Sequence, residues 1–321
     1  MASEIARLGR GKRQARSKVA RNRVAYAYIS PFYVLFAIFG LFPLLMAVAL
    51  GFFEWRGAGL PVFIGLENYR RIFFVNPDFG KSLVNTLIMG VGGNIINLFG
   101  ALVLAYILNS KLVRFANLFK TLYFMPMVTS AVASAIIFKS LFNERAGIIN
   151  QLLESLGFGR VDWLSGTGTY LQIVVIIMFA WQWLGWNLVI YLSGMKGISS
   201  EIIEAAVIDG ASHPRIFFNI TLPILKPILL FTFIQSTVGT FSIFIEPFML
   251  TGANRMDGGP GGKGYTSMMF MLRSAPLESN NYGFASAIAN VLCIIIVIMS
   301  FVFTALLQEK STARKKKRKS L

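Results

Sequence analysis

The side chains that most often do chemistry are scarce in this sequence. It contains one histidine, His213, and one cysteine, Cys293, so no Cys or His cluster has the spacing of a metal site. The Gly-x-x-x-x-Gly-Lys-Ser/Thr pattern of a phosphate-binding loop does not occur either. We therefore expect no catalytic residues, no metal site and no cofactor bound directly by this chain.

The remaining polar groups form stripes within long apolar segments. Their spacing of three and four residues places each stripe on one face of a helix. They are Trp183, Asn187 and Tyr191 in one segment, and Gln235, Gly239, Ser242 and Glu246 in another, with Ser236 and Thr240 beside them. A carboxylate inside an apolar segment is costly and normally faces a cavity or a partner. The stripes fit a helical bundle around a wet pathway, and tight polar packing between helices is the alternative.

Two further segments carry small residues on one helical face. They are Gly90, Gly93, Asn97 and Gly100 in the first, and Gly283, Ala287 and Asn290 in the second. Small side chains let a neighbouring helix approach closely in a membrane, so these faces are expected to pack against other helices.

The elements that must hold these stripes are membrane-spanning helices. Hydrophobic residues make up 55% of the 321 residues and charged residues 14%, against about 25% charged in soluble domains. Six stretches can cross a hydrocarbon core about 30 Å thick, which takes about 20 helical residues. We place them at Tyr28–Phe53, Ser82–Asn109, Leu118–Phe142, Tyr170–Met195, Leu222–Thr251 and Phe284–Leu307. The sequence thus predicts an all-α integral membrane protein with six transmembrane helices, the first too long for a cleavable signal peptide.

Orientation follows from the placement of Lys and Arg, which favour cytoplasmic segments. Of the 31 basic residues, 21 fall in the terminal tails and between spans 2 and 3 and spans 4 and 5. Both termini are then cytoplasmic, as an even number of spans requires. Residues 1–24 form a basic arm, 25–307 the six-span domain with its core at about 82–307, and 308–321 a basic tail. The net charge of +17 is then explained by topology and anionic lipid contact rather than by nucleic acid.

The segment between spans 4 and 5, residues 196–223, has the pattern of two short helices joined at a glycine. Ser199 or Ser200 can cap a first helix, and Gly210 can end it in a left-handed conformation. Ser212 followed by Pro214 then begins a second helix. We expect a stiff elbow whose first helix is compact enough to slide into a groove through Ile203, Ala205 and Ala206. An ordinary amphipathic connector on the membrane surface is the alternative.

The spacing within this segment resembles the coupling-loop signature of permease subunits in binding-protein-dependent ABC importers. The pattern is Glu-Ala-Ala, three residues, Gly, nine residues, Ile, one residue and Leu-Pro. It is matched by Glu204, Ala205, Ala206, Gly210, Ile220, Leu222 and Pro223. Ser199 departs from the family, which often carries Pro there.

Weaker matches are similar to carbohydrate-uptake permeases of the maltose and glycerol-phosphate type and cover about residues 60–300. They are Gly65-Leu66-Glu67-Asn68-Tyr69, Asn85-Thr86, Gly147-Ile148-Ile149-Asn150, Asp162-Trp163-Leu164, Leu250-Thr251-Gly252 and Gly259-Pro260. The last pair belongs to the run of residues 258–262, which its glycine content predicts to be flexible. The resemblance implies the type I permease fold of ABC importers, in the bacterial inner membrane.

The resemblance also implies a transport subunit rather than an enzyme, with ATP and Mg²⁺ used by partner subunits. The implied assembly has a second, different permease, two ATP-binding subunits and an external solute-binding protein. Coupling to the ATPase would fall to Glu201, Glu204, Ala205, Ala206, Asp209, Gly210, Ala211, Ile220, Leu222 and Pro223. A sugar path would be lined by Trp183, Asn187, Tyr191, Gln235, Ser236, Thr240 and Glu246. An ion-gradient-driven secondary transporter, with Glu246 as its ion site, and a non-transporting membrane sensor remain as alternatives, although neither needs the elbow.

Overall fold

Long apolar helices dominate the fold, as the composition predicts. A computed structural model describes residues 25–110, 113–252, 256–277 and 279–319, with side chains as far as residue 305 except at residue 276. The predicted basic arm of residues 1–24 lies outside the described residues. In chain order the elements are α1 (Ala25–Leu50), β1 (Phe53–Glu54), β2 (Val62–Phe63), α2 (Glu67–Arg70), α3 (Pro77–Asn109), α4 (Ala116–Val128), α5 (Ala131–Leu141), α6 (Ile148–Ser155), α7 (Thr169–Lys196), α8 (Ser200–Ile208), α9 (His213–Ile224), α10 (Lys226–Phe241), α11 (Ile245–Leu250), α12 (Ser267–Leu272) and α13 (Tyr282–Lys319). The two strands pair antiparallel, with Phe53 opposite Phe63.

The six predicted spans are present as four continuous helices and two broken ones. In the described chain, α1, α3, α7 and α13 as far as Ala305 are each long and apolar enough to cross a membrane. The bent pairs α4 with α5 and α9 with α10 complete the set if each pair is one crossing. The all-α membrane fold is therefore confirmed, and α7 coincides with the fourth predicted span to within one residue at each end.

The predicted third span, Leu118–Phe142, is wrong as a single helix, because α4 and α5 meet at an angle of 100°. Between them Thr129 and Ser130 have extended backbone, with ψ of 138° and 132°. Pro126, inside the last turn of α4, lacks the N–H that would bond to the Leu122 carbonyl, which weakens the helix just before the break. Hydropathy averaged over the segment does not register this break, since residues on both sides of it are apolar.

The predicted fifth span, Leu222–Thr251, is divided twice. Its first residues belong to α9, which lies at 70° to α10. Pro223 and Pro227 flank this bend, and the N–H that Pro227 lacks is the one that would bond to the carbonyl of Pro223 in a straight helix. A second break follows α10, where Phe244 has φ −145° and ψ −56°, and α11 begins after it.

The sixth predicted span, Phe284–Leu307, agrees with the apolar part of α13, Tyr282–Ala305, which is long and apolar enough to cross a membrane. α13 runs on past Leu307 through most of the predicted basic tail, as far as Lys319. The tail contains no Gly or Pro and is rich in Lys, Arg, Glu and Gln, which are favourable helix formers. A charge run that ends an apolar span therefore need not end the helix.

Helices α3 and α7 form a parallel pair at the centre of the fold. Near their starts Gln172 donates to Asn85 (3.1 Å), and half-way along Asn187 donates to Asn97 (3.1 Å). α10 runs the other way, since Asn94 on α3 donates to the Ser236 carbonyl, whereas Gly90, one turn earlier on α3, meets Thr240, one turn later on α10. We call the end where α3 and α7 begin the loop face, and the end near α8 the elbow face.

Glycines set the spacing of this bundle, as the small-residue stripes predict. A Cβ on Gly93 would lie 2.7 Å from the Phe179 ring of α7, and one on Gly90 would overlap Thr240 of α10. The contact between α7 and α4 is closer still. A Cβ on Gly185 would overlap the backbone carbonyl of Tyr123.

Replacing Gly185 by alanine is therefore expected to destabilise the protein by about 1–3 kcal/mol, because the added methyl group must displace main chain rather than a side-chain end. Gly100→Ala on α3 is the matched control, since its Cβ would lie at an ordinary 3.4 Å from Leu184. Thermal unfolding in detergent measures both. An equal melting temperature for the two variants would contradict the close α7–α4 contact.

Candidate functional site

The elbow has the local structure that the sequence predicts. The Ser199 hydroxyl accepts a hydrogen bond from the Glu201 N–H (3.3 Å) and caps α8. Gly210 has φ +74°, in the left-handed region that costs other residues about 1–2 kcal/mol. Its N–H bonds to the Val207 carbonyl at 3.0 Å and that of Ala211 to Ala206 at 2.9 Å. At Ser199, where the family often has Pro, the serine side chain thus supplies a cap.

The outward face of α8 differs from the expected one. Ala206 is 9% exposed and Ile203 is half-buried, so both face the chain's own helices and only Ala205 of the predicted compact surface points outward. A short helix needs one apolar face against its own fold, and these residues supply it. The surface that α8 leaves uncovered is amphipathic. It comprises Glu201, Ile202, Glu204, Ala205, Val207 and Ile208, of which Ile208 is 85% exposed.

The second half of the elbow connects to the ends of α3 and α10. Tyr106 of α3 donates to the His213 carbonyl at 3.0 Å, and its ring packs on Phe217. Of the remaining signature positions, Ile220 and Leu222 are half-buried and Pro223 is exposed at the bend before α10. A cavity of about 770 Å³ lies between α8 and the ends of α3 and α7, and the α8 residues that line it are Ser200, Ile203, Glu204 and Val207. Glu204 and Val207 therefore lie at its edge, exposed but on the cavity side of the helix. The elbow is thus anchored through α9, with free space behind α8.

A second cavity, of about 260 Å³, lies within the membrane segments between α3, α7, α10 and α11. Its lining includes Asn97, Phe179, Trp183, Trp186, Asn187, Gln235, Ser236, Gly239, Ser242 and Glu246. Five of the seven residues predicted for a sugar path are among them, and the structure brings these five together from three helices. Their role as a path stays a prediction.

The other two predicted path residues, Tyr191 and Thr240, lie outside this lining. The Tyr191 hydroxyl bonds to Thr232 of α10 at 2.9 Å, and the Thr240 hydroxyl accepts from Asn94 of α3 at 2.8 Å. Both are almost fully buried, at 1% and 2% exposure. The structure thus places them in the tight polar packing between helices that was the alternative for each stripe.

Asn97, Phe179, Trp186, Val238 and Ile243 also line this cavity and were not predicted from the sequence. Asn97 belongs to the small-residue stripe of α3, and the sequence analysis predicted only helix packing for that stripe. Trp186 follows Trp183 by three residues and shares its helical face, so the helical spacing could have identified it as a lining residue. Glu246, in the first turn of α11, is 8% exposed. In the described part of the chain, no Lys or Arg forms an ion pair with it.

Several motifs that carry the family resemblance contain a side chain that holds a loop in place by hydrogen bonds at the loop face. We call these contacts polar clamps. The Asn85 amide donates to the carbonyls of Gly262 (2.8 Å) and Tyr265 (3.1 Å). Thr86 accepts from the Ser267 N–H at 2.8 Å. The glycine run of residues 258–262, expected to be flexible, is instead folded into a tight turn with four glycines at positive φ.

Residues of three further motifs act in the same way. Asn150 accepts from the Trp163 indole at 3.0 Å and so holds the segment between α6 and α7. Asn68 donates to the carbonyls of Gly51 (3.1 Å) and Phe53 (3.0 Å), which fixes the chain after α1.

Beside Asn68 the carboxylate of Glu67 accepts three charge-assisted hydrogen bonds. Arg70 donates two, at 2.7 and 2.8 Å, and Arg71 donates one at 3.3 Å. These bonds, those of Arg70 above all, lower the pKa of Glu67 to about 2, so the carboxylate stays ionised throughout the neutral range. The loop face therefore presents a fixed arrangement of loops.

The family is shown by comparison with known proteins. The chain belongs to the family of binding-protein-dependent transport system inner membrane components, which matches residues 97–314. It is 34% identical over 284 residues to the arabinooligosaccharides transport system permease protein AraP of Bacillus subtilis, covering 88% of each chain. It is 32% identical over 279 residues to the lactose transport system permease protein LacF of Rhizobium radiobacter, covering 86% of this chain and 91% of that one.

A solved structure has the same fold. A chain of a bacterial ABC transporter that imports the acidic polysaccharide alginate superposes with a TM-score of 0.75 at 18% identity. The match covers 91% of this chain and 98% of that chain. The type I permease fold of ABC importers is thereby confirmed.

Replacing Asn85 by alanine is expected to loosen the turn at the loop face. The change removes two hydrogen bonds to the carbonyls of Gly262 and Tyr265 and one from Gln172, whose amide keeps its bond to the Lys263 carbonyl. A buried group left unpaired costs about 1–3 kcal/mol. Limited proteolysis should then cut faster within residues 258–266. Gln151→Ala is the control, because Gln151 is exposed and makes one bond, to the Ala146 carbonyl. Equal cleavage in the two variants would contradict the clamp.

Proposed function

We propose that the chain is one permease subunit of an ATP-driven importer for a carbohydrate, coupled to a separate ATPase through the elbow. The observation that carries this proposal is the exposed face of α8. A nine-residue helix with a cap at one end and a left-handed glycine at the other leaves Ile208 85% exposed. An exposed apolar patch beside acidic side chains is the mark of a partner surface.

The partner on this surface is an ATP-binding subunit, present twice in the assembly and carrying the ATP and Mg²⁺. α8 docks in a cleft of that subunit, where Glu204 makes a charge-assisted contact to a basic group. Closure of the ATPase pair pulls on α8, and the pull passes through Gly210 and α9 to the bend before α10. The cavity behind α8 supports this motion, since it leaves room for the helix to shift.

The substrate enters from the loop face, delivered by an external solute-binding protein. Two observations support a carbohydrate. AraP and LacF, by name, transport arabinooligosaccharides and lactose, and the membrane cavity combines indole rings with amide and hydroxyl groups. In a second structure of the alginate transporter, the complex holds a pentasaccharide-bound periplasmic protein. ATP and the loaded binding protein must both favour the outward-facing state, because a ligand shifts an equilibrium only through differential affinity.

The assembly also holds a second, different permease. α1 supports this arrangement, because it stands apart from the central helices with its large apolar side chains uncovered, Phe39 at 74% exposure. Lipid and the second permease share this surface. With the elbow in the cytoplasm, both termini are cytoplasmic, in agreement with the placement of Lys and Arg.

Gly210→Val tests the coupling. Valine at a positive φ is strained, while the space around Gly210 is open, so folding should survive and the direction of the elbow should change. In proteoliposomes containing the full assembly, uptake and its coupled ATP hydrolysis should fall by about tenfold or more. Gly159→Val is the matched control, because Gly159 also has open surroundings but an ordinary φ.

Normal coupled uptake by the Gly210→Val assembly would overturn the mechanism. Uptake that continues without ATP would instead favour the ion-driven transporter, with Glu246 as its ion site. Loss of both activities in the Gly159→Val control would mean that valine at any open glycine is damaging.

A further inference from the structure

A third cavity, of about 420 Å³, opens at the loop face beside the start of α3. Its described lining comes from the turn before α3, from α12 and the segment after it, and from the start of α13. Ligand pockets measure about 300–1,000 Å³, so this one can hold a small polar group. The described linings of this cavity and of the membrane cavity share no residue. We call it the loop-face pocket.

The loop-face pocket brings charges of both signs together. Arg71 and Arg273 supply two guanidinium groups, and Asp78 supplies a carboxylate. The described hydrogen bond of the Arg71 side chain runs from Nε to Glu67 at 3.3 Å. A guanidinium has five N–H donors, so the Nη groups of Arg71 can serve a ligand. In the described part of the chain, no ion pair involves Asp78. The pocket therefore matches a ligand that carries both an anionic oxygen and a cationic donor.

The chain beside the pocket turns an apolar surface outward. Arg71–Val75 form one turn of π-helix, on which Phe73 and Phe74 are 56% and 84% exposed. α3 begins after this turn and carries further exposed apolar side chains at helical spacing, namely Val84, Ile88, Val91 and Ile95. Polar side chains of a membrane-crossing helix face the bundle interior, so this stripe faces lipid. The turn lies at the loop-face end of the stripe, the level at which lipid headgroups are found.

A phospholipid has the chemistry that these two features require. Phosphatidylethanolamine joins a phosphodiester anion to a primary ammonium, and its acyl chains begin beside the phosphate. Guanidinium groups bind phosphate through paired N–H donors, and a carboxylate attracts an ammonium. A headgroup without the ammonium, such as glycerol, would leave the carboxylate of Asp78 without a cation.

We propose that the loop-face pocket binds the headgroup of a phosphatidylethanolamine molecule from the outer leaflet. The phosphate lies at Arg71 and Arg273, the ammonium lies at Asp78, and the acyl chains run past Phe74 along the apolar stripe of α3. The site goes beyond the proposed function and depends on it only for the leaflet, because the loop face is external in the proposed orientation. A bound lipid would join the start of α3 to α12 and α13.

The first experiment compares two neighbouring arginines. The probe is dihexanoyl phosphatidylethanolamine, titrated into the full-length protein in its assembly, purified in detergent and freed of native lipid, with binding followed by native mass spectrometry. Arg71→Gln should weaken binding about tenfold, because a charge-assisted hydrogen bond is lost. Arg70→Gln is the matched control and should change it by less than about twofold. Arg70 also bonds to Glu67 but lies outside the described pocket lining. In each variant the other arginine still holds Glu67, so the loop should keep its fold.

Three outcomes would overturn the site. The unaltered protein could fail to bind the lipid, or the two arginine variants could bind it equally well. Free phosphoethanolamine could also bind as tightly as the lipid, which would make this a site for soluble anions. We expect it to bind at least about tenfold more weakly, because it lacks the acyl chains that contact Phe74.

The second experiment tests the place of the ammonium. The unaltered protein should prefer dihexanoyl phosphatidylethanolamine to dihexanoyl phosphatidylglycerol about tenfold, and Asp78→Asn should abolish that preference. Glu144→Gln is the control, because Glu144 is an exposed acid of the loop face outside this pocket lining. A preference that survives in Asp78→Asn, or that is lost equally in Glu144→Gln, would overturn the assignment to a zwitterionic headgroup.

The lipid site and the importer fail separately, since neither experiment uses ATP or sugar. Absence of lipid binding leaves the importer intact. Uptake that continues without ATP overturns the importer and leaves the measured lipid preference unchanged.

Discussion

Helices α3 and α7 lie side by side along most of their length, and the contact between them organises every functional feature of the chain. At the loop face Gln172 meets Asn85, which holds the glycine turn. At mid-membrane Asn187 meets Asn97 beside the cavity. At the elbow face α3 holds the elbow through Tyr106, and α7 leads directly into α8. Gly92 and Gly93 permit this contact, because they leave room for Ile176 and the ring of Phe179, and close packing of small residues associates helices in lipid.

The breaks in the helices follow from the same environment. Backbone polar groups inside a bilayer must be paired within the protein or face a water-filled cavity. The irregular residues between α10 and α11 satisfy this rule, because Ser242, Ile243 and Glu246 all border the membrane cavity. The prolines of the bend before α10 lie instead at the elbow face, where water and a partner subunit can satisfy the freed carbonyls. These two breaks thus border cavities, the membrane cavity at Ser242–Glu246 and the cavity behind α8 at Thr221.

Local chemistry explains which parts of this arrangement could be predicted from sequence. The elbow depends on neighbours in the chain, a serine cap, a glycine at positive φ and a proline in the next helix, and each of them acts as expected. Hydropathy located all six spans but not the bends, because Pro126 and Pro223 interrupt a helix without changing its average polarity. The clamps between residues far apart in the sequence could not be predicted either. The glycine turn is rigid because Asn85, far away in the sequence, bonds to it.

Helical periodicity located the cavity face but could not decide which side chains reach the cavity. Tyr191 and Asn187 lie on one stripe of α7, yet one contacts α10 and the other lines the cavity. The error at Asn97 was the opposite one, because its small-residue neighbours predicted helix packing and not a place in the cavity lining. It both packs and lines the cavity, because its amide has more hydrogen-bonding capacity than one neighbour can use. Whether a side chain packs against a helix or lines the cavity depends on where a third helix lies. That position is fixed only when the bundle is assembled.

The same packing gives the proposed coupling a physical route. The last third of α7 contacts α10 through Tyr191 with Thr232, and through Gly194 against Ile228. These contacts lie between the cavity and the elbow, so a shift of the bend at Leu225 cannot reach the cavity without changing them. Because a Cβ on Gly194 would overlap Ile228, the interface has little room to compress. In the proposed coupling, motion of the elbow would therefore turn α7 and α10 against each other and change the shape of the cavity that these two helices line.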